Sequence, residues 1–203
     1  MKKYLEIAAG RLKSDEWAGI RDVPTKDPAV LQYDMTDLPM KGIADNTFEG
    51  VYSEHFIEHI YKYQGIDFLK EMFRILKSGG VIRTIWPPYE FVEKLVSNEK
   101  LTDSEEYFVK RYYDFYIRKK NFAPQGFKHK SKREQCALGL LYQEGEHLCV
   151  WSIKDLKQEL KNAGFVNVKE QRYQASDFTP FKNLELKCEI RKAHSAVIEA
   201  VKP

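Results

Sequence analysis

A short stretch near the middle of the chain gathers imidazole and carboxylate groups, with Ser53-Glu54-His55 followed by Glu58-His59. Two histidines four residues apart share one face of a helix, as pairs of metal ligands often do. The zinc-protease pattern H-E-x-x-H is absent, however, because Phe56 follows His55. We therefore predict no metal site and expect His55 to face a substrate, since an imidazole can act as a general base near neutral pH.

Two acids stand where strand-like runs end: Asp22 closes GIRDV, and Asp34 follows VLQY. Ligands of parallel sheets lie outside the carboxyl ends of the strands, and an acid there can accept hydrogen bonds from both hydroxyls of a ribose. Each acid also has a simpler interpretation. Asp22 can belong to a strand-end turn, and Asp34 can begin an Asx turn through Thr36-Asp37.

The first strand-like run ends in a turn that is poor in glycine, since residues 4–13 read YLEIAAGRLK. Only Gly10 has free access to positive φ there, whereas Ala8 adds a small methyl group. The dinucleotide pattern G-x-G-x-x-G is missing, and little room remains before Asp22 for the helix whose N-terminus binds a pyrophosphate. A nicotinamide cofactor is therefore disfavoured.

Strand-like and helical patterns alternate along most of the chain. Two helices are well marked, at 65–77, where Ser78-Gly79-Gly80 is expected to end the helix, and at 152–163, where Ser152 is the expected N-cap. The alternation predicts a mostly parallel sheet covered on both faces. Seven runs favour strands: 4–9, 17–23, 30–33, 48–53, 80–86, 165–173 and 194–201.

Residues 88–150 interrupt this alternation because they contain no convincing strand. A connection of this length is usually functional or disordered, and its aromatic content favours a folded helical insertion that acts as a lid or substrate wall. Residues 108–134 also hold nine Lys or Arg against two acids, which suits either a solvated surface or contact with an anionic partner. The aromatic residues are Tyr107, Phe108, Tyr112, Tyr113, Phe115, Tyr116, Phe122 and Phe127.

The overall composition is that of one folded domain spanning residues 1–203, with 43% hydrophobic and 31% charged residues. No apolar run approaches the ~20 residues that span a bilayer, so no membrane partner is expected. Cys136, Cys149 and Cys188 lie far apart without paired spacing. This pattern argues against a disulfide framework or a zinc site and predicts a reducing, cytoplasmic location.

Four segments in a fixed order carry a resemblance to a known family. They are YDMTDLPMKGIADNTFEGVYSEHFIEHI at 33–60, FLKEMFRILKSGGVIRTIWP at 68–87, LKNAGFVNVKEQRY at 160–173 and SAVIEAVKP at 195–203. Together they resemble the class I S-adenosylmethionine-dependent methyltransferases of the short type 11 style. The resemblance covers roughly residues 4–87 and 147–203. It implies a Rossmann-like α/β fold with strand order 3-2-1-4-5-7-6, an antiparallel last strand, and the insertion 88–150 after strand five.

The resemblance also implies roles for individual residues. His55 is the expected catalytic residue, whereas His59, Trp86, Tyr89 and His147 are expected near the acceptor. Contacts with the cofactor S-adenosylmethionine are implied for Glu6, Ala8, Ala9, Gly10, Asp22, Asp34, Met35, Ser53 and Glu54.

Several functions remain open at this stage. The first is a methyltransferase for a small, anionic or neutral acceptor, with a saccharide or nucleotide-sugar suggested by analogy only. The second is a methyltransferase-like binding protein without activity, because the glycine turn is degraded. A nucleic-acid methyltransferase is less favoured, since the expected N/D-P-P motif after strand four is missing. The methylated atom and the oligomeric state stay open.

Overall fold

The computed structural model describes residues 2–9, 12, 14–24, 26–97, 99–120 and 130–203. Its strands form one sheet with the order β3-β2-β1-β4-β5-β7-β6. Strands β1 to β5 run parallel, and β7 is antiparallel to both of its neighbours. The predicted fold and strand order are therefore confirmed. The strands are β1 (Tyr4–Ile7), β2 (Trp17–Arg21), β3 (Val30–Gln32), β4 (Phe48–Glu54), β5 (Leu76–Trp86), β6 (Val166–Glu170) and β7 (Ala196–Val201).

Six α-helices are present in the described residues, together with one π-helical and three 3₁₀ turns. The α-helices are α1 (Lys62–Ile75), α2 (Tyr89–Val96), α3 (Asp103–Tyr112), α4 (Lys132–Tyr142), α5 (Ile153–Asn162) and α6 (Glu189–His194). The π-helical turn is Tyr113–Ile117, and the 3₁₀ turns are Ile57–His59, Gln143–Gly145 and Thr179–Phe181. None of these helices combines the length and the apolar character that a membrane span requires.

The two faces of the sheet have different coverings. Alternate strand side chains point to opposite faces, so Leu5 joins the core under α1 and α5, whereas Tyr4 joins a second core. Phe178 and Phe181 close that second core, and their rings lie 4.9 Å apart. Aromatic side chains from the segment before α6 therefore cover the face that lacks α1 and α5.

The sequence predicted the ends of one helix correctly and the C-terminal end of the other wrongly. Helix α5 begins as expected, with the Ser152 hydroxyl accepting the Asp155 N–H at 2.9 Å. It ends in a Schellman arrangement at Gly164, which has φ +104°. The predicted stop of the first helix at Ser78-Gly79-Gly80 is wrong, because α1 ends at Ile75 and Leu76 already pairs with Phe48 in the sheet. Sheet pairing thus takes these glycines into β5.

The described helices after β5 build a core of their own. Helices α2, α3 and α4 pack around Phe91, Phe108 and Leu140, and α6 packs on α3. Residues 121–129 lie outside the described part of the chain, and with them the predicted aromatics Phe122 and Phe127 and the basic Lys128. The role of residues 88–150 as a lid stays a prediction.

Candidate functional site

A cavity of about 550 Å³ lies at the carboxyl ends of the first strands, and we name it the strand-end cavity. Four of its lining residues come from the ends of β1, β2 and β3, and two come from the end of β4. They are Ala8, Asp22, Asp34, Met35, His55 and His59. The edge of the sheet where ligands of such folds bind is therefore open and lined by the predicted acids.

The turn after β1 brings its backbone into a strained conformation at this cavity. Ala8 is exposed and has φ +55°, in the left-handed region that glycine occupies more easily. Ala9 turns inward and is buried, and a Cβ on Gly19 would lie only 2.6 Å from its methyl group. Gly10 lies outside the described residues. The position expected to hold a glycine thus keeps the glycine-like backbone, although its residue is alanine.

The two acids at the strand ends differ in how they are held. Asp22 follows β2 and is exposed at the cavity. Asp34 forms the Asx turn considered above, because its Oδ1 accepts the Thr36 hydroxyl at 2.7 Å and the Thr36 N–H at 2.9 Å. These hydrogen bonds, led by the side-chain one, lower the pKa of Asp34 below its ordinary value. The turn therefore fixes a charged carboxylate at the cavity wall.

A second cavity, of about 320 Å³, adjoins the first, and we name it the histidine cavity. It is lined by residues of five separate segments, among them His55, His59, Tyr112, His147, Arg191 and His194. His55 and His59 also line the strand-end cavity. The two cavities therefore share a wall made of two imidazoles.

His55 is held in one orientation from both sides of its ring. Its backbone has φ +52°, and its N–H donates to the Ile85 carbonyl at 2.8 Å. Its Nδ1 lies 2.9 Å from Oε1 of Glu58, and its Nε2 lies 3.0 Å from the Ser195 hydroxyl. Because the carboxylate can only accept, Nδ1 carries the proton that it donates to Glu58, which leaves Nε2 to face the Ser195 hydroxyl.

Glu58 is fully buried beneath this pair, with its side chain 2% exposed. Burial alone would raise the pKa of Glu58, but the hydrogen bond and the charge of His55 outweigh it and hold the pKa below its ordinary value. The Glu58 carbonyl also accepts the N–H groups of Leu148 and Cys149 at 2.8 and 3.1 Å. One residue thus connects the end of β4 to the segment that carries His147.

His59 and His147 form a second imidazole pair, with ring centroids 4.8 Å apart. Nδ1 of His59 donates to the Glu146 carbonyl at 3.2 Å, and Nδ1 of His147 donates to the Leu140 carbonyl. Burial is the largest effect on His147 and lowers the pKa of its imidazole. His59 and His147 were both predicted near the acceptor, and both line the histidine cavity.

Four residues predicted to contact the cofactor do not line the strand-end cavity. Glu6, Ala9 and Ser53 are buried within the sheet, where the Ser53 hydroxyl lies 3.3 Å from the Thr84 hydroxyl. Glu54 points to the other face, because it follows Ser53 in the strand, and it pairs with Arg191 at 2.9 Å. For these side chains the structure offers no direct contact with a ligand in that cavity.

Two residues predicted near the acceptor also lie elsewhere. Trp86 is fully buried, and its indole N–H donates to the Trp151 carbonyl at 3.0 Å. The expectation that Trp86 walls the site is wrong, because its ring fills the core. Tyr89 begins α2 and lines neither cavity.

Sequence reasoning missed Arg191, His194 and Ser195, which lie about 140 residues from β4. Burial lowers the pKa of His194 to about 3, and its Nδ1 donates to the Ile190 carbonyl at 2.6 Å, so the ring is neutral. A usable signal existed in the antiparallel last strand. Since Ala196 pairs with Trp86, the start of β7 must lie at the edge where β5 ends.

The strain at Ala8 gives the first prediction. We expect Ala8→Gly to raise the free energy of unfolding by about 0.5–1 kcal/mol, because relief of the left-handed conformation outweighs the entropy of the unfolded glycine. Denaturant unfolding measures this change. Ala44→Gly is the matched control, since Ala44 is exposed but is not among the residues with positive φ, and it should destabilise. Equal losses in both variants would contradict the strained turn.

Comparison with known proteins now identifies the fold. Residues 3–84 match the family described as a methyltransferase domain. No curated protein matches the chain. An S-adenosylmethionine-dependent methyltransferase from Archaeoglobus fulgidus superposes with a TM-score of 0.54 at 15% identity, over 99% of this chain and 86% of that one.

A second solved structure is a phosphoethanolamine N-methyltransferase 2 from Haemonchus contortus in complex with S-adenosyl-L-methionine. It has a TM-score of 0.50 and 15% identity, over 100% of this chain and 49% of that one. S-adenosylmethionine, which that structure contains, is also the cofactor that the sequence resemblance implied. The resemblance inferred from the sequence is therefore confirmed: the chain has the fold of S-adenosylmethionine-dependent methyltransferases, and its residues 3–84 match the methyltransferase domain family.

Proposed function

We propose that this chain is a methyltransferase that binds S-adenosylmethionine in the strand-end cavity and a small-molecule acceptor in the histidine cavity. The observation that carries the proposal is the wall shared by the two cavities, made of His55 and His59. A methyl donor and an acceptor must meet at one point, and this wall is where ligands in the two cavities would meet.

The strand-end cavity suits the cofactor in size and in chemistry. Its volume of about 550 Å³ falls within the range of small-molecule sites, roughly 300–1,000 Å³. Asp22 would accept the ribose hydroxyls, Asp34 and Met35 would hold the adenine, and the turn at Ala8 would lie beside the sulfur-bearing tail. When bound, the cofactor supplies a methyl group already activated by a positive sulfur.

His55 is the residue proposed to handle the proton of the acceptor. With Nδ1 donating to Glu58, its Nε2, which now lies 3.0 Å from the Ser195 hydroxyl, would accept the proton of an acceptor hydroxyl that replaces the serine. Glu58 would then stabilise the imidazolium through the hydrogen bond to Nδ1. Residues 88–150 are proposed to exclude water as a lid over the acceptor.

The histidine cavity indicates the class of acceptor. Tyr112 and Tyr116 give it aromatic walls, and Arg191 adds a guanidinium group. We propose a polar ring with an acidic group, such as a saccharide or nucleotide-sugar. A cavity of about 320 Å³ is small for a nucleic-acid strand, which disfavours that alternative. The cytoplasmic location expected from the sequence stays a prediction.

Calorimetry with S-adenosylmethionine tests the cofactor site. We expect the wild-type protein to bind the cofactor and Asp22→Asn to bind it about 10-fold or more weakly, because a charged acceptor of two hydroxyls is lost. Asp15→Asn is the matched control, since Asp15 is exposed near the opposite end of β2. Absence of binding to wild-type protein at millimolar cofactor would favour the non-catalytic alternative and overturn the proposal.

Transfer of a labelled methyl group from S-adenosylmethionine into a small-metabolite extract tests the role of His55. His55→Gln should lower the rate by about 10²–10⁴-fold, as expected for loss of a general base, while calorimetry finds cofactor binding retained. Glu144→Gln is the control. Glu144 is exposed and is not one of the imidazole residues, so this variant should transfer methyl groups at the wild-type rate. Methyl transfer by His55→Gln at the wild-type rate would exclude His55 as the general base.

A further inference from the structure

Three side chains near the shared wall form a group of metal-ligand type, although methyl transfer itself requires no metal. Glu58, His59 and His147 each place one ligand-type atom so that all three lie within 4.8 Å of one another. Two come from the 3₁₀ turn after β4, and the third comes from the segment that precedes α5. The sequence analysis considered His55 and His59 with Glu54 and Glu58 and predicted no metal because the pattern H-E-x-x-H is absent; it did not place His147 beside them.

The carboxylate of Glu58 is only half satisfied. Its Oε1 accepts from His55, whereas its buried Oε2 has no hydrogen-bond partner among the described residues. The side chain is 2% exposed, so water does not compensate for the missing donor. A buried charged oxygen without a partner is costly, and a cation would remove that cost.

Both histidines present the nitrogen that a metal needs. Because carbonyl oxygens only accept, the bonds to Glu146 and Leu140 fix the proton of each ring on Nδ1. This arrangement leaves Nε2 of each ring as the nitrogen for an ion, and a backbone carbonyl on the far nitrogen is a usual hydrogen-bond partner of a metal-bound histidine.

The group is held together before any ion arrives. The Glu58 carbonyl accepts two N–H groups from the residues that follow His147, and His59 bonds to the residue that precedes it. His59 and His147 line the histidine cavity, so an ion could enter from there and keep open positions toward it. Glu58 would close the site from the protein interior.

We infer that Glu58, His59 and His147 form a binding site for a divalent transition metal, with zinc as the ion the donor set suits best. Two imidazole nitrogens and one carboxylate oxygen are the ligands of open zinc sites and of non-haem iron sites, whereas magnesium and calcium prefer oxygen alone. The site is independent of S-adenosylmethionine. A bound ion would face the acceptor cavity with its free positions.

Cobalt titration of the chelator-treated, full-length protein tests this site without cofactor or acceptor. Cobalt in zinc sites absorbs visible light, so we expect a spectrum that saturates at one equivalent and disappears when zinc is added. His147→Gln and His59→Gln should each weaken cobalt binding by about 100-fold or more, since loss of a ligand exceeds the 10–100-fold cost of losing an outer partner. Glu144→Gln is the matched control and should keep the wild-type spectrum and affinity.

Both outcomes of the titration are decisive. Absence of a saturable spectrum in the wild-type protein would overturn the inference, as would wild-type affinity in the two histidine variants. Circular dichroism checks that each variant is folded. Both imidazoles are partly exposed, so these variants decide the question even if Glu58→Gln fails to fold. Calorimetry with S-adenosylmethionine is a separate measurement, so failure of the metal site leaves the methyltransferase proposal intact.

Discussion

The buried carboxylate of Glu58 is the interaction on which the site depends. A buried charge destabilises a protein unless a partner compensates it. Removal of one partner of a buried pair therefore leaves the other charge uncompensated. His55 is the compensating partner at 2.9 Å, and the carbonyl of the same residue fixes the segment that carries His147. The positions of His55 and His147 therefore depend on one acid in the 3₁₀ turn that follows β4.

Two residues that line the strand-end cavity have a strained backbone conformation. Ala8 and His55 both have left-handed φ, of +55° and +52°, and they follow the neighbouring strands β1 and β4. Such conformations persist only where the surrounding structure enforces them, and they cluster at binding sites. The two turns lie side by side in the sheet, because the register pairs Ile7, the residue before Ala8, with Ser53, which lies two residues before His55. The same edge thus exposes a backbone turn for one ligand and an imidazole for another.

The sequence predicted the features that follow from periodicity and from strand ends. The alternation of strands and helices belongs to this class, whereas the strand order was implied by the family resemblance. Side chains were predicted less well where neighbouring strand positions point to opposite faces, which is why Glu54 pairs with Arg191 and Trp86 fills the core. Contacts between distant segments were not predicted at all. Ser195 reaches His55 only because the antiparallel β7 begins at the edge where the parallel strands end.

A crystal structure of the protein with S-adenosylhomocysteine, the product that remains after methyl transfer, tests the central claim most directly. The account predicts the adenosine between Asp22 and Asp34 in the strand-end cavity, with the sulfur directed toward the wall formed by His55 and His59. A ligand found away from these carboxylates, or a sulfur directed away from the histidine cavity, would contradict it.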